Sequence, residues 1–317
     1  MNAEEAAPTI AIVGAGVIGL SWARLADAHG WTVAITDPRP DLAEIVASAF
    51  PDSTTVRAAS DLADAVADAD LVQENGPERL PMKQQLFADI GAAARPDAVL
   101  ATSSSSITAS EIAVDLDADV ASRVLVGHPF NPPELMPLVE VLPGTRTAST
   151  TTDSAVALYR ALDREPVVIG TELPGVVANR LQAAISREAR YLVQAGVVSP
   201  ADLDTILRNS LGLRWATIGL FEGNVLGGGP GGIRHLLAGV GAQTGGIEPG
   251  VPSTDPESME RLVDAVEATY GTGEEVYAAL SARRDRRTSA VLAALADTED
   301  QSATRADAAI VGWRSNQ

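Results

Sequence analysis

Cysteine is absent from this 317-residue chain, and lysine occurs once, at Lys83, so that 22 of its 23 basic residues are arginine. Without thiols there is no disulfide, no thiolate nucleophile and no cysteine-based zinc site, and three scattered histidines make a poor metal set; no metal is expected. Basic clusters are equally scarce against a formal charge of −19, which argues against a nucleic-acid or anionic-membrane partner, since binding to polyphosphate rests on grouped Lys and Arg. No apolar run approaches the roughly 18 residues of a membrane span, and the acidic opening MNAEEAAP lacks the basic start and apolar core of a signal peptide. The expectation is a soluble cytoplasmic protein.

What is present is 46% apolar residues over a length that favours two domains. TIAIV at 9–13 runs directly into GAGVIG, and SWARLADAHG continues with helical spacing to a glycine, which reads as strand, tight turn and helix. Further strand-like runs are WTVAI, ADLVQE, AVLATS, RVLVGH, LVEVLP and PVVIG. Strands alternating with helical segments indicate an α/β fold, a Rossmann-like doubly wound parallel sheet. After Gly170 the pattern becomes helical, with Pro174 opening one helix and Ser199, Pro200 and Asp202 marking the N-cap and first turn of another. The expected organisation is a Rossmann-like domain over 1–172 and an all-helical domain over 173–317. GNVLGGGPGG at 223–232 and QTGGIEPGVPSTDPES at 243–258 read as loops.

Gly14, Gly16 and Gly19 fit G-x-G-x-x-G. The first allows the tight turn, the second lets a pyrophosphate approach the backbone, and the third permits close helix packing. The helix N-terminus, with Val17 and Ile18, turns free amides toward the phosphates. Asp37, at the end of the next strand, can accept the ribose hydroxyls and repel a 2′-phosphate, which favours NAD over NADP; Arg39 nearby keeps NADP open.

ENGPERLPMK at 74–83, GHPFNPPELMPLVEV at 127–141 and LPGVVANRL at 173–181, in that order after the glycine motif, resemble the 3-hydroxyacyl-CoA dehydrogenase family in its wider sense. The resemblance runs from residue 9 to about 240. It implies a Rossmann-like domain followed by a helical one through which two copies form a homodimer. It also implies His128 as catalytic base, Glu140 as its charge partner, Asn179 and Ser105 as polar groups around the substrate, and Glu78 and Lys83 near the nicotinamide ribose, with Ser105 on the cofactor side as well. These roles make chemical sense. Loss of a hydride from carbon requires loss of the hydroxyl proton, which an imidazole accepts near neutrality. A carboxylate behind the imidazole fixes its tautomer and stabilises its charge, and Ser105 and Asn179 can hydrogen-bond the oxygen as it becomes a carbonyl.

A lone histidine is more often structural. His128, however, follows an apolar strand at the carboxyl edge of the sheet, where ligands of this fold bind, with a carboxylate at the end of the next strand. His29 reads as a surface group at a helix end, and Thr108 with Glu111 as a capping box. Family members divide between those acting on coenzyme A thioesters and those acting on free acids or alcohols such as L-gulonate and carnitine. Residues 211–241 look more like the second group, and the stretch after Asp37 has room only for one short helix and a strand, less than the CoA-holding excursion of the thioester enzymes. The expected substrate is a small hydroxy acid oxidised to its keto acid. Arg214 or Arg234 would take its carboxylate, and Trp215, Phe221 or Glu222 its other end. A carrier-bound or unusual hydroxy acid is the alternative, and a non-catalytic crystallin-like NAD-binding protein a more distant one. Hydroxyisobutyrate-type dehydrogenases use a helical lysine that no residue after Lys83 supplies.

Overall fold

Alternation in Thr9–Val13 sends Ile10 and Ile12 to one face and Ala11 and Val13 to the other, and both faces are buried. This strand, β1, is an interior strand of an eight-stranded sheet completed by β2 (Thr32–Thr36), β3 (Val56–Ala58), β4 (Leu71–Glu74), β5 (Val99–Thr102), β6 (Val124–Pro129), β7 (Leu138–Pro143) and β8 (Glu165–Val168). The computed structural model of the protein describes residues 7–239, 241 and 246–298. It divides into two compact units, Met1–Leu181 and Gln182–Gln317.

The sheet order is β3-β2-β1-β4-β5-β6-β7-β8, parallel throughout except between β6 and β7. One core holds Ile10, Ile12 and Val33 under α1 (Val17–Ala28), α2 (Leu42–Ala49) and α7 (Ser149–Ala161), which contribute Trp22, Val46 and Tyr159. The opposite core holds Ala11, Val72 and Leu100 under α3 (Leu62–Val66), α4 (Leu80–Ala93), α5 (Ala109–Ile112) and α6 (Ala118–Ala121), which contribute Val66, Phe87, Ile112 and Ala121. Helices on both faces make this the expected doubly wound sheet, with the strand order reversing between β1 and β4, which are parallel. Thr108 and Glu111 form the expected capping box at α5.

Three local readings are corrected. Between Asp37 and Gln73 the chain builds two short helices and β3, because Asp61 caps α3 by accepting the Asp64 amide at 2.8 Å and lets so short a helix start. Pro174 lies in the turn before α8 (Val177–Gln194) rather than in its first turn. That turn carries Gly175 at φ +82° and Val176 at φ +42°, a conformation in which a β-branched residue is strained. Most of the glycine-rich stretch is also helical. It holds the end of α11 (Leu220–Gly227), a 3-10 turn at Gly229–Gly231 and the start of α12 (Gly232–Ala238), with Glu222 accepting the Gly219 amide at 3.3 Å to begin α11. The start of the loop expected at 243–258 lies outside the described residues, as does residue 240 of the 211–241 segment.

The second unit also contains α9 (Pro200–Asn209), α10 (Leu211–Thr217), α13 (Pro256–Tyr270) and α14 (Glu274–Ala296). Ser199 caps α9 as the sequence indicated, accepting the Asp202 amide at 3.1 Å. Among the described residues, none of the helices from α8 onward contains a buried residue. Among the described residues no helix is long and apolar enough to cross a membrane.

Under the sheet's carboxyl edge lies a polar cluster built on two fully buried side chains, Gln73 and Tyr159. The Tyr159 hydroxyl donates to Gln73 Oε1 at 2.7 Å, and Gln73 Nε2 donates to Ser103 Oγ at 2.8 Å and to the Gly127 carbonyl at 3.0 Å. Burial pushes the Tyr159 phenol pKa upward, so it is a permanent donor. Tyr159→Phe leaves Gln73 Oε1 without its donor and is expected to cost about 1–3 kcal/mol in urea unfolding; a variant as stable as the wild type would show that the amide finds another partner.

Candidate active site

The loop between β1 and α1 is shaped for close approach. Gly14 sits at φ +104°, and a Cβ there would stand 3.1 Å from the Asn75 backbone. A Cβ on Gly19 would meet the Gly14 carbonyl oxygen at 1.9 Å, while one on Gly16 would meet nothing within 4 Å. The first and third glycines are therefore packing requirements, and the second opens space beside the backbone where a pyrophosphate fits. Gly16 caps α1 without a side chain, so the first amides of the helix, around Val17 and Ile18, are left for a ligand.

Asp37 accepts the Ala15 amide at 2.8 Å through Oδ2 and the Arg39 amide at 3.1 Å through Oδ1. It borders a cleft of about 990 Å³ with Gly14, Pro38, Arg39, Gly76 and Met82. The Arg39 guanidinium is drawn to Asp41 at 2.8 Å. Carboxylate and glycine cradle together fit the adenosine and pyrophosphate of NAD.

Lys83 is the residue that the resemblance sets near the nicotinamide ribose. It is 1% exposed, and its Nζ donates to Glu74 at 2.9 and 2.7 Å and to the Gly76 carbonyl at 3.3 Å. Thr102 Oγ1 and the Gly76 amide, each at 2.6 Å, complete the partners of Glu74. A charge this deep needs an opposite charge and hydrogen bonds, and Glu74 supplies the charge. The pair pins the 75–79 loop, which lies against Gly14. Glu78, on that loop, accepts from Ser104 Oγ at 2.7 Å and from the Ser105 amide at 3.0 Å.

Antiparallel pairing of β6 and β7 sets His128 directly opposite Glu140. His128 Nδ1 lies 3.1 Å from Glu140 Oε2, and both side chains are buried. The other oxygen, Oε1, accepts the amides of Val177 at 2.8 Å and Ala178 at 3.1 Å, the first residues of α8. Burial raises the Glu140 pKa, but the hydrogen bonds from His128 and the two amides outweigh it and hold the carboxyl below its usual range. Asn179 follows Ala178 on α8 and is half-buried. The Ser105 carbonyl accepts the Gly175 amide at 2.9 Å, so the serine loop and the turn into α8 are joined. The structure thus brings His128, Glu140 and the start of α8 into one constellation and ties Ser105 to the turn that begins it.

Arg214 and Trp215 are on α10, Phe221 on α11 and Arg234 on α12, all exposed in the second unit. Glu222 serves the start of α11. His29 holds the Leu25 carbonyl at 2.9 Å and Asp163 at 3.1 Å, a structural position. Sequence reasoning missed Glu74, Gln73, Thr102 and Tyr159. The signal was available for two of them, since Gln-Glu closes a strand, LVQE, that is otherwise apolar.

Known proteins are similar to this chain over most of its length. Residues 49–172 match the model of the 3-hydroxyacyl-CoA dehydrogenase NAD binding domain, and 175–279 match that of the 3-hydroxyacyl-CoA dehydrogenase C-terminal domain. Residues 4–73 match the alanine dehydrogenase/PNT C-terminal domain. The chain is 40% identical to an L-carnitine dehydrogenase of Nocardiopsis dassonvillei, with 93% of this chain and 94% of the relative covered. A 3-hydroxyacyl-CoA dehydrogenase of Gibberella moniliformis is 43% identical, with 70% and 73% covered. Among solved structures, the NAD+ dependent dismutase 5-formyl-3-hydroxy-2-methylpyridine 4-carboxylic acid 5-dehydrogenase superposes with a TM-score of 0.72 at 29% identity, covering 91% of this chain and 98% of that one.

Removing the ammonium alone strands the Glu74 charge. Lys83→Met is expected to destabilise the fold by about 3–5 kcal/mol, and Glu74→Gln added to it to recover much of that loss. Urea unfolding of the two variants checks this, and a single variant with wild-type stability would mean that the pair does not hold the loop.

Proposed function

The chain belongs to the 3-hydroxyacyl-CoA dehydrogenase family and is an NAD-dependent dehydrogenase, and on that premise we propose that it oxidises the 3-hydroxyl of a small free acid resembling carnitine. The observation that carries the catalytic part is the register of β6 against β7, which holds His128 on Glu140 while Glu140 is locked by the amides of α8. Because Nδ1 faces a carboxylate, it carries the ring proton and Nε2 is left with a lone pair. Nε2 takes the proton of the substrate hydroxyl as the carbon–hydrogen bond breaks. Bound NAD supplies the hydride acceptor. Glu140 stabilises the imidazolium formed, and Ser105 and Asn179 hydrogen-bond the oxygen as it becomes a carbonyl.

Support for a free acid comes from the L-carnitine dehydrogenases, which match across nearly their whole length, 94% and 95% for those of Nocardiopsis dassonvillei and Pseudomonas aeruginosa. The Gibberella moniliformis relative favours a second reading, a CoA-bound hydroxyacyl group, over a smaller share of its length. We also read the molecule as a homodimer. Helices carrying Leu213, Phe221, Leu226 and Leu237 at 61–76% exposure have apolar faces that a single chain leaves in water, and a second copy covers such faces.

Two measurements check this reading. With NAD and a panel of L-carnitine, L-gulonate, simple 3-hydroxy acids and 3-hydroxybutyryl-CoA, turnover of a free acid is expected, with kcat falling about 10²–10⁴-fold in His128→Gln; turnover of the thioester alone would overturn the substrate assignment. In sedimentation equilibrium the mass is expected to be twice that of one chain, and Phe221→Asp with Leu237→Asp to shift it toward the monomer.

A further inference from the structure

A second charged cavity, unrelated to the dehydrogenase chemistry, lies wholly within the helical unit. It is a half-open pocket of about 310 Å³ lined by α9, the last residue of α13 and the middle of α14, and its arginines are exposed. Four arginines face it, Arg208, Arg283, Arg284 and Arg287, against one carboxylate, Asp204. That carboxylate is already engaged by the Tyr270 hydroxyl. Arg208 donates Nε to the Asp204 backbone carbonyl at 3.2 Å, and Arg284 pairs outward with Asp285 at 2.7 Å. Among the described residues Arg283 and Arg287 have no hydrogen bond or ion pair.

Arg24, Arg39, Arg57, Arg95 and Arg261 each meet a carboxylate, whereas Arg283 and Arg287 do not. With 42 acidic residues and a net charge of −19, acids are plentiful. Arg283 and Arg287 stand four apart on α14, where like charges destabilise a helix, and the other two guanidinium groups add to the repulsion. The Tyr270 phenol lies between charges of both signs, with Asp204 dominant. Its hydrogen bond to Asp204 raises its pKa, with burial and the Asp204 charge adding, while Arg208 and Arg283 act in the opposite direction. A counter-anion would remove the repulsion, and the cavity has the size of a small-ligand site. Guanidinium forks match phosphate oxygens in bidentate fashion.

We propose that this cavity binds a small polyvalent anion of the phosphate class, held chiefly by Arg283 and Arg287 with Arg208 and Arg284 around it. The test uses the full chain saturated with NAD, so that the glycine loop cannot take the probe, and titrates inorganic pyrophosphate calorimetrically at constant ionic strength, with citrate as the carboxylate arm. One pyrophosphate per chain is expected. Arg283→Gln with Arg287→Gln should weaken it about a hundredfold, as loss of two charge-assisted contacts implies, and leave the KM for NAD unchanged. No heat beyond the matched chloride control, equal binding by the double variant, or binding of citrate alone would each overturn the assignment. A changed oligomeric state in the double variant, with no pyrophosphate binding by the wild type, would instead give the cluster to an acidic face of a second copy and overturn it too.

Discussion

One carboxylate joins two parts of this molecule that the chain keeps far apart. Glu140 meets His128 across an antiparallel strand pair and, with its other oxygen, takes the first amides of α8. Each partnership depends on the other. Without the helix amides, a buried carboxyl would drift toward its neutral form; without the carboxylate, the first turn of α8 would have unmatched donors. The antiparallel step in an otherwise parallel sheet is what creates the meeting, since it places residues 128 and 140 side by side at the carboxyl edge, where parallel strands open to ligand.

Below that edge the sheet is polar where sheets of this type are ordinarily apolar. Gln73 and Glu74 close β4, and each is matched by partners from distant elements: Tyr159 of α7 for one, Lys83 of α4 and Thr102 of β5 for the other. Such networks hold only when complete, because an unmatched member costs more than a matched one contributes. Their effect is to fix the 75–79 loop against Gly14, so that the wall of the cofactor cleft is set by buried chemistry instead of by surface contacts.

What the sequence disclosed follows from the range of each interaction. Gly14, Gly16, Gly19 and Asp37 were legible because a strand, turn and helix specify them within thirty residues or so. The doubly wound sheet was legible from alternation, and His128 with Glu140 from the family resemblance of the segment at 127–141; Glu140 itself lies within β7 rather than at its end. Lys83 was legible as singular, but its direction was not, since its partner Glu74 reads as the tail of an apolar strand. Tyr159 lies 86 residues from Gln73, and nothing local in α7 marks it as a donor. The glycine-rich stretch reads as loop by propensity, yet packing and the Glu222 contact to Gly219 make it helical.

The solitary lysine has a further consequence. Its ammonium is enclosed by Glu74, Gly76 and the sheet, so an amine-reactive acylating reagent finds no side-chain target on the folded surface. Modification at that position can proceed only when β4 and α4 part. The rate of its acylation therefore serves as an intrinsic clock for opening of the nucleotide-binding sheet, uncontaminated by any other side chain of its kind.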